Sequence, residues 1–235
     1  MTIYRLFAEP EFPDPAEADP DGLLAIGGDL TPARLVAAYA QGIFPWYCEN
    51  SPILWWSPDP RLTLVPAQLH VPGSLRRVLN SGRFCFSLDT AFGQVIRACA
   101  STPRPGQPGT WIVPGMIQAY ERLHDLGLAH SVEVWSNGKL AGGVYGVALG
   151  SVFFGESMFY AEPDASKTAF VLLARWLAGR GCTLIDCQQT TAHMQRFGAR
   201  EISRPEFLRR VAAGLQNPAL TGRWLASGSP PQSLQ

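Results

Sequence analysis

Apolar residues change their spacing repeatedly along this chain, and each change marks a predicted element. Thr31 and Pro32 supply an N-cap and a first helical residue, and Gly42 closes a short helix predicted over 32–41. A helix at about 73–80 and another at about 89–100 flank a short strand, Phe84-Cys85-Phe86. Three prolines and two glycines within 101–109 demand a loop. Met116, Ile117, Tyr120 and Leu123 then recur at helical spacing up to Gly127. Two runs, Ser131–Trp135 and Lys139–Ala148, are joined by Asn137-Gly138, the pair that a two-residue hairpin favours. A third strand over Ser151–Phe154 makes 131–154 an antiparallel meander. Ala169, Phe170, Leu173, Trp176 and Leu177 share one face of a helix over 166–178, stopped by Gly179. Strand 183–187 follows, and Ser203-Arg-Pro-Glu206 is a capping box opening a helix to about 213.

This order (meander, helix, strand, helix) is an α+β plan. It resembles the core of the N-acyltransferase, or GNAT-like, superfold, in which a meander and a following helix and strand surround a splayed sheet; function must still be argued from the site. Upstream, residues 1–60 are rich in Pro, Gly and Trp, with aromatics packed into Gly42–Tyr47 and Trp55–Pro58. Such proline-punctuated aromatics predict a small N-terminal lobe, with a catalytic domain over 61–226 and a mobile Ser/Pro/Gln tail over 227–235.

With 235 residues, 46% hydrophobic and 16% charged, the chain can bury a sizeable core, which excludes a disordered tail or a coiled coil. No apolar run reaches the length of a membrane span, and the proline-rich, acidic start lacks the apolar core of a signal peptide. Five cysteines (48, 85, 99, 182, 187), odd in number and without CxxC spacing, point to reduced thiols in a cytoplasm, and a monomer is expected. Nineteen basic and nineteen acidic residues cancel, yet they are segregated. Seven acids and no base lie between Glu9 and Asp29; six arginines against the single acid Asp89 lie between Arg61 and Arg104. Eight more arginines between Arg175 and Arg223 face only three acids. Segregated arginine permits a footprint for a polyanion, although a solvated surface gives the same count.

The strand around Asp186 is the most informative place for chemistry. A carboxylate inside an apolar strand is unfavourable unless paired or functional, and period-two alternation puts Asp186 and Gln188 on one face. The alternative is a strand-end aspartate that caps a loop or binds a structural arginine. Glu156, after the apolar Val152–Gly155, adds a second acid. Two such carboxylates can polarise an amine or bind a cation. Phe153, Phe170, Leu173, Leu177 and Ile185 are candidates for an apolar pocket, or ordinary core. No metal-ligand spacing, GxSxG elbow or glycine-rich phosphate loop is present, and the pyrophosphate turn of coenzyme A users is missing; the acyl donor must be something else.

Taken together, several segments resemble the leucyl/phenylalanyl-tRNA–protein transferase family. They are 22–30 (GLLAIGGDL), 42–46 (GIFPW), 54–61 (LWWSPDPR), 91–94, 109–112, 155–159 (GESMF), 165–167 and 184–188 (LIDCQ). The resemblance implies transfer of Leu or Phe from aminoacyl-tRNA to the N-terminal amine of proteins beginning with Arg or Lys, which marks them for degradation, with no metal and no coenzyme. It carries Asp186 and Gln188 over as the catalytic pair, Asp186 orienting the amine and relaying its proton, Gln188 holding the amine or polarising the ester. Glu156 is expected against the aminoacyl group or the acceptor's cationic side chain. Trp46 and Trp111 match positions that stack on the terminal adenosine, or are core tryptophans. Arg76, Arg77 and Arg83 match a basic cluster for the acceptor stem. Val144 and Gly155 join the donor pocket, and Val144 stands where a larger residue can occur, which favours Phe. Arg196 is expected close to the acceptor site, which makes acidic N-termini conceivable. A non-catalytic RNA-binding protein on this scaffold leaves the two acids and Gln188 without a role. A tRNA-dependent transferase with a small-molecule or peptidoglycan-precursor acceptor is the nearer alternative.

Overall fold

A computed structural model describes residues 3–102, 110–220 and 222–224. Most of the 101–109 loop and the whole 227–235 tail lie outside the described residues.

Two sheets organise the chain. The smaller comes from the first 56 residues: β1 (Tyr4–Leu6), β2 (Leu23–Gly27), β3 (Phe44–Pro45) and β4 (Leu54–Trp56), in the order β1-β2-β4-β3. Its strands are short because prolines and turns interrupt them. Helix α1 (Pro32–Ala40) begins where Thr31 accepts a bond from the Arg34 N–H. It ends at Gly42, whose φ of +68° a side chain tolerates poorly, and where a Cβ would stand 2.6 Å from the Phe207 ring.

The larger sheet has the order β11-β5-β10-β9-β8-β7-β6. Its strands are β5 (Arg61–Leu64), β6 (Cys85–Leu88), β7 (Ala129–Ser136), β8 (Lys139–Leu149), β9 (Val152–Tyr160), β10 (Leu184–Asp186) and β11 (Arg200–Ile202). All neighbours are antiparallel except β9 and β10, which are parallel. The hairpin turn between β7 and β8 places both Asn137 and Gly138 at positive φ, as their side chains allow. Helices α2 (Gly73–Asn80) and α5 (Ala165–Gly179) contribute to the core on one face. On the other, α3 (Phe92–Ser101), α4 (Pro114–Asp125) and α7 (Arg204–Leu215) share a core with α1 and the small sheet. A short helix, α6 (Ala192–Gln195), follows β10. No helix among the described residues is long and apolar enough to cross a membrane.

Of the boundaries that differ from the sequence expectation, three have a visible cause or bear on the site. The helix expected at 89 begins at Phe92, because Asp89 takes a left-handed turn (φ +54°) and its carboxylate accepts the Ser131 N–H. The strand expected at 151–154 runs to Tyr160 through the polar Glu156 and Ser157. The strand expected at 183–187 ends at Asp186, since Gln188 has φ +59°.

Candidate active site

Local irregularity in the large sheet creates the site. Along β8 and β9, Tyr145 faces Ser157 but Gly146 faces Gly155, so Glu156 is the extra residue of a bulge and has no cross-strand partner. Gly146 permits this crowding, for a Cβ there would lie 2.2 Å from the Phe154 carbonyl oxygen. On the other side of β9, pairing with β10 runs from Val152–Leu184 to Phe154–Asp186 and then stops. Beyond that point the segments after Phe154 and Asp186 diverge around a cavity of about 310 Å³. Val144, Phe153, Gly155, Phe170, Leu173 and Ile185 line it, together with Met158, His193 and Met194. Leu177 is fully buried in the core and is not part of this wall.

A second cavity, of about 180 Å³, is bounded by Phe44, Pro45, Trp46 and Trp111. Glu156, Cys187, Gln188 and Thr191 line both cavities and form their junction. Trp46 is half-buried and packs edge-on to Trp56, whose indole N–H donates to the Trp46 carbonyl at 2.7 Å. Trp111 is mostly buried. Both tryptophans are therefore brought together at one mouth.

At the junction, Glu156 is only 8% exposed. Its Oε1 accepts the Tyr39 hydroxyl at 2.7 Å and the Gln188 amide Nε2 at 3.0 Å, and its Oε2 accepts the Tyr120 hydroxyl at 3.1 Å. The two tyrosine hydroxyls are also in contact with each other, a contact that shares one of the same two protons. Burial pushes the Glu156 carboxyl up to about 7, against the opposing pull of the tyrosine hydrogen bonds, and the Asp186 charge adds to the rise. Burial, then the Glu156 charge, holds both tyrosines well above the usual phenol range.

Asp186 is fully buried and occupied. Arg61 donates Nε–H to Oδ1 at 2.8 Å and Nη2–H to Oδ2 at 2.6 Å, and the Gln188 backbone N–H donates to Oδ1 at 2.8 Å. The Arg61 guanidinium lies between the Phe44 and Phe207 rings, 4.8 and 4.4 Å from their centroids. Asp186 and Gln188 thus meet through a turn and not through strand alternation. Cys187 is half-buried, and burial followed by the Asp186 charge pushes its thiol up.

Arg76 and Arg77 are exposed on α2. Arg83 is engaged by Glu162 at 2.8 Å and lies over the Phe84 ring. Arg196 lines neither cavity of the junction. Among the described residues no group of three or more His, Cys, Asp or Glu could hold a metal ion. Sequence reasoning missed Tyr39, Arg61, Cys187 and Thr191 as site residues. Only Arg61 left a signal there, a base inside the apolar run Arg61–Leu64 that the buried Asp186 required.

A desolvated carboxylate and an amide, set between an apolar pocket and an aromatic cleft on a splayed α+β sheet, define a group-transfer enzyme. Residues 63–212 match the family model for leucyl/phenylalanyl-tRNA protein transferase, and residues 28–59 match that of its N-terminal domain. A leucyl/phenylalanyl-tRNA–protein transferase of Anaeromyxobacter sp. (strain K) is 61% identical over 99% of this chain and 100% of its own. One from Oleidesulfovibrio alaskensis is 62% identical over 95% of this chain and 92% of its own. Among solved structures, a GCN5-related N-acetyltransferase from Kribbella flavida is matched over 76% of this chain and 63% of its own at 13% identity and a TM-score of 0.38. The chain belongs to the leucyl/phenylalanyl-tRNA–protein transferase family, tRNA-dependent aminoacyltransferases that move Leu or Phe onto protein N-termini.

Proposed function

We propose that this protein transfers Leu or Phe from aminoacyl-tRNA to the N-terminal amine of proteins beginning with Arg or Lys, and so marks them for degradation. The meeting of an apolar and an aromatic cavity at Glu156 and Gln188 carries this reading. The larger cavity takes the donor side chain against Val144, Phe153, Gly155, Phe170, Leu173 and Ile185. Trp46 and Trp111 take the terminal adenosine, where stacking contributes roughly 1–3 kcal/mol. The ester linking the two then lies at the junction.

Aminolysis forms a C–N bond and breaks the C–O bond to the ribose. The amine loses a proton and the ribose oxygen gains one. Ionised Glu156 accepts the amine's proton and returns it to the leaving oxygen, since a base poised near neutrality suits both steps. The carboxylate also favours a cationic acceptor. Gln188 orients the amine beside Glu156. Asp186 acts as a positioning residue: with Arg61 holding both its oxygens, it fixes the turn that presents Gln188. This departs from the role in which Asp186 relays the proton itself. Exposed Arg76 and Arg77 bind the acceptor stem, with Arg83 contributing less because Glu162 neutralises it. The lobe over 1–60 brings Tyr39 and Trp46 to the domain over 61–226, and the enzyme works as a cytoplasmic monomer without metal or coenzyme.

The test uses the purified protein with labelled Phe-tRNA or Leu-tRNA and peptides beginning with Arg, Lys, Asp or Glu. Label is expected on the N-termini of the Arg and Lys peptides. Label confined to the acidic peptides would overturn the acceptor assignment, and no transfer at all would overturn the reaction.

A further inference from the structure

A third cavity, of about 150 Å³, shares His193 with the donor pocket. Ser74 of α2, Asp164 and Lys167 at the start of α5, and His193, Arg196 and Phe197 line it. Lys167 donates to Asp164 at 2.7 Å. Arg196 has no ion pair among the described residues. His193 is half-buried, and burial, then the charges of Lys167 and Arg196, hold its imidazole below the usual range. Three basic side chains therefore converge on one small cavity that contains a single acid. Asp164 balances Lys167 and His193 is held toward its neutral form, so Arg196 leaves the cavity one uncompensated positive charge, and arginine and lysine donate well to phosphate oxygens. No step of the transfer described above uses these groups.

We infer that this cavity binds a phosphodiester of the single-stranded 3′ end of the aminoacyl-tRNA, upstream of the terminal adenosine; the inference rests on the donor reading above. Its volume of about 150 Å³ admits a phosphate group. Helix α2 supplies both its Ser74 wall and the exposed Arg76 and Arg77, while His193 joins it to the donor pocket. An anionic backbone leading from α2 to the ester meets these cations on its way. That continuity favours RNA over the acidic side chain of an acceptor protein.

Arg196→Gln tests it with two donors, Phe-tRNA and 3′-O-phenylalanyl-adenosine, which has no phosphate. The ratio of kcat/KM for Phe-tRNA to kcat/KM for the small donor is expected to fall on the order of tenfold. The salt slope of Phe-tRNA binding is expected to flatten by about 0.7. An unchanged ratio overturns the proposal, and a raised KM for the acceptor peptide assigns the cavity to an acidic acceptor instead. A binding arm requires no turnover: the trinucleotide pCpCpA, followed by NMR of the His193 imidazole, should move its titration to higher pH, whereas adenosine should not. No difference between the two ligands overturns the proposal even if transfer itself fails, and a failure of transfer with both donors in the parent protein counts against the underlying reading alone.

Discussion

Glu156 concentrates the chemistry because its surroundings oppose one another. Burial favours the neutral acid, while two tyrosine hydroxyls stabilise the anion, and the balance falls at about 7. Glu156→Gln is expected to lower kcat/KM by about 10²–10⁴-fold, to leave Phe-tRNA binding in place, and to remove the limb near pH 7 from the rate profile. Stability carries the same signature. The folded value exceeds the ordinary 4.5, so the stabilising effect of the neutral carboxyl is complete below pH 4.5 and is lost as pH rises through 7, by up to about 3 kcal/mol. Thermal melts should therefore show Glu156→Gln gaining more over the parent at pH 8 than at pH 5. Asp186 behaves differently. Asp186→Ala strands the Arg61 guanidinium between two phenylalanine rings, and a loss of about 3–5 kcal/mol is expected in denaturant titrations. At temperatures where the variant stays folded, turnover should fall far more than tRNA binding; equal losses would leave Asp186 with a structural role alone.

At the level of elements, the site is built by places where regular pairing fails: the bulge at Glu156, the separation of β9 from β10, and the left-handed turn at Gln188. Hairpin 129–149 and the caps at Thr31 and Ser203 were legible because a few neighbouring residues determine them. The extension of β9 to Tyr160 was not, since its polar residues face a cavity that other elements create. Val144 sits on β8 in the wall of that cavity, and its small side chain leaves width for an aromatic ring. Val144→Met should shift the ratio of Leu to Phe transfer toward Leu by roughly tenfold, a change within the 1–3 kcal/mol that such pockets discriminate. Competition between Leu-tRNA and Phe-tRNA for one peptide measures it, and an unchanged ratio would remove Val144 from donor selection.

Across the whole molecule, the two sheets are joined through a shared core that reaches the junction. Tyr39 comes from α1 in the small lobe and Tyr120 from α4, yet both donate to one carboxylate on β9. Tyr39→Phe removes a donor that lowers the Glu156 pKa, so the rising limb of the rate profile should move to higher pH. A profile that keeps its position would mean that Tyr39 only packs. The neutral net charge conceals arginines dispersed among structural and exposed roles: Arg61 is buried with Asp186, Arg83 is paired with Glu162, and Arg76 and Arg77 face solvent.

By itself the sequence determined the elements that short-range rules govern, namely capped helices, the Asn-Gly hairpin and the alternation of buried faces, and its motifs pointed to the family. It also singled out Glu156, Asp186 and Gln188, because polar residues among apolar ones require partners. Tertiary structure alone decided what those partners are. Arg61 lies 125 positions from Asp186 and Tyr39 lies 117 from Glu156. The proton affinity of Glu156, and the division of labour between it and Asp186, are set by burial and by hydrogen bonds that exist only once distant segments pack together.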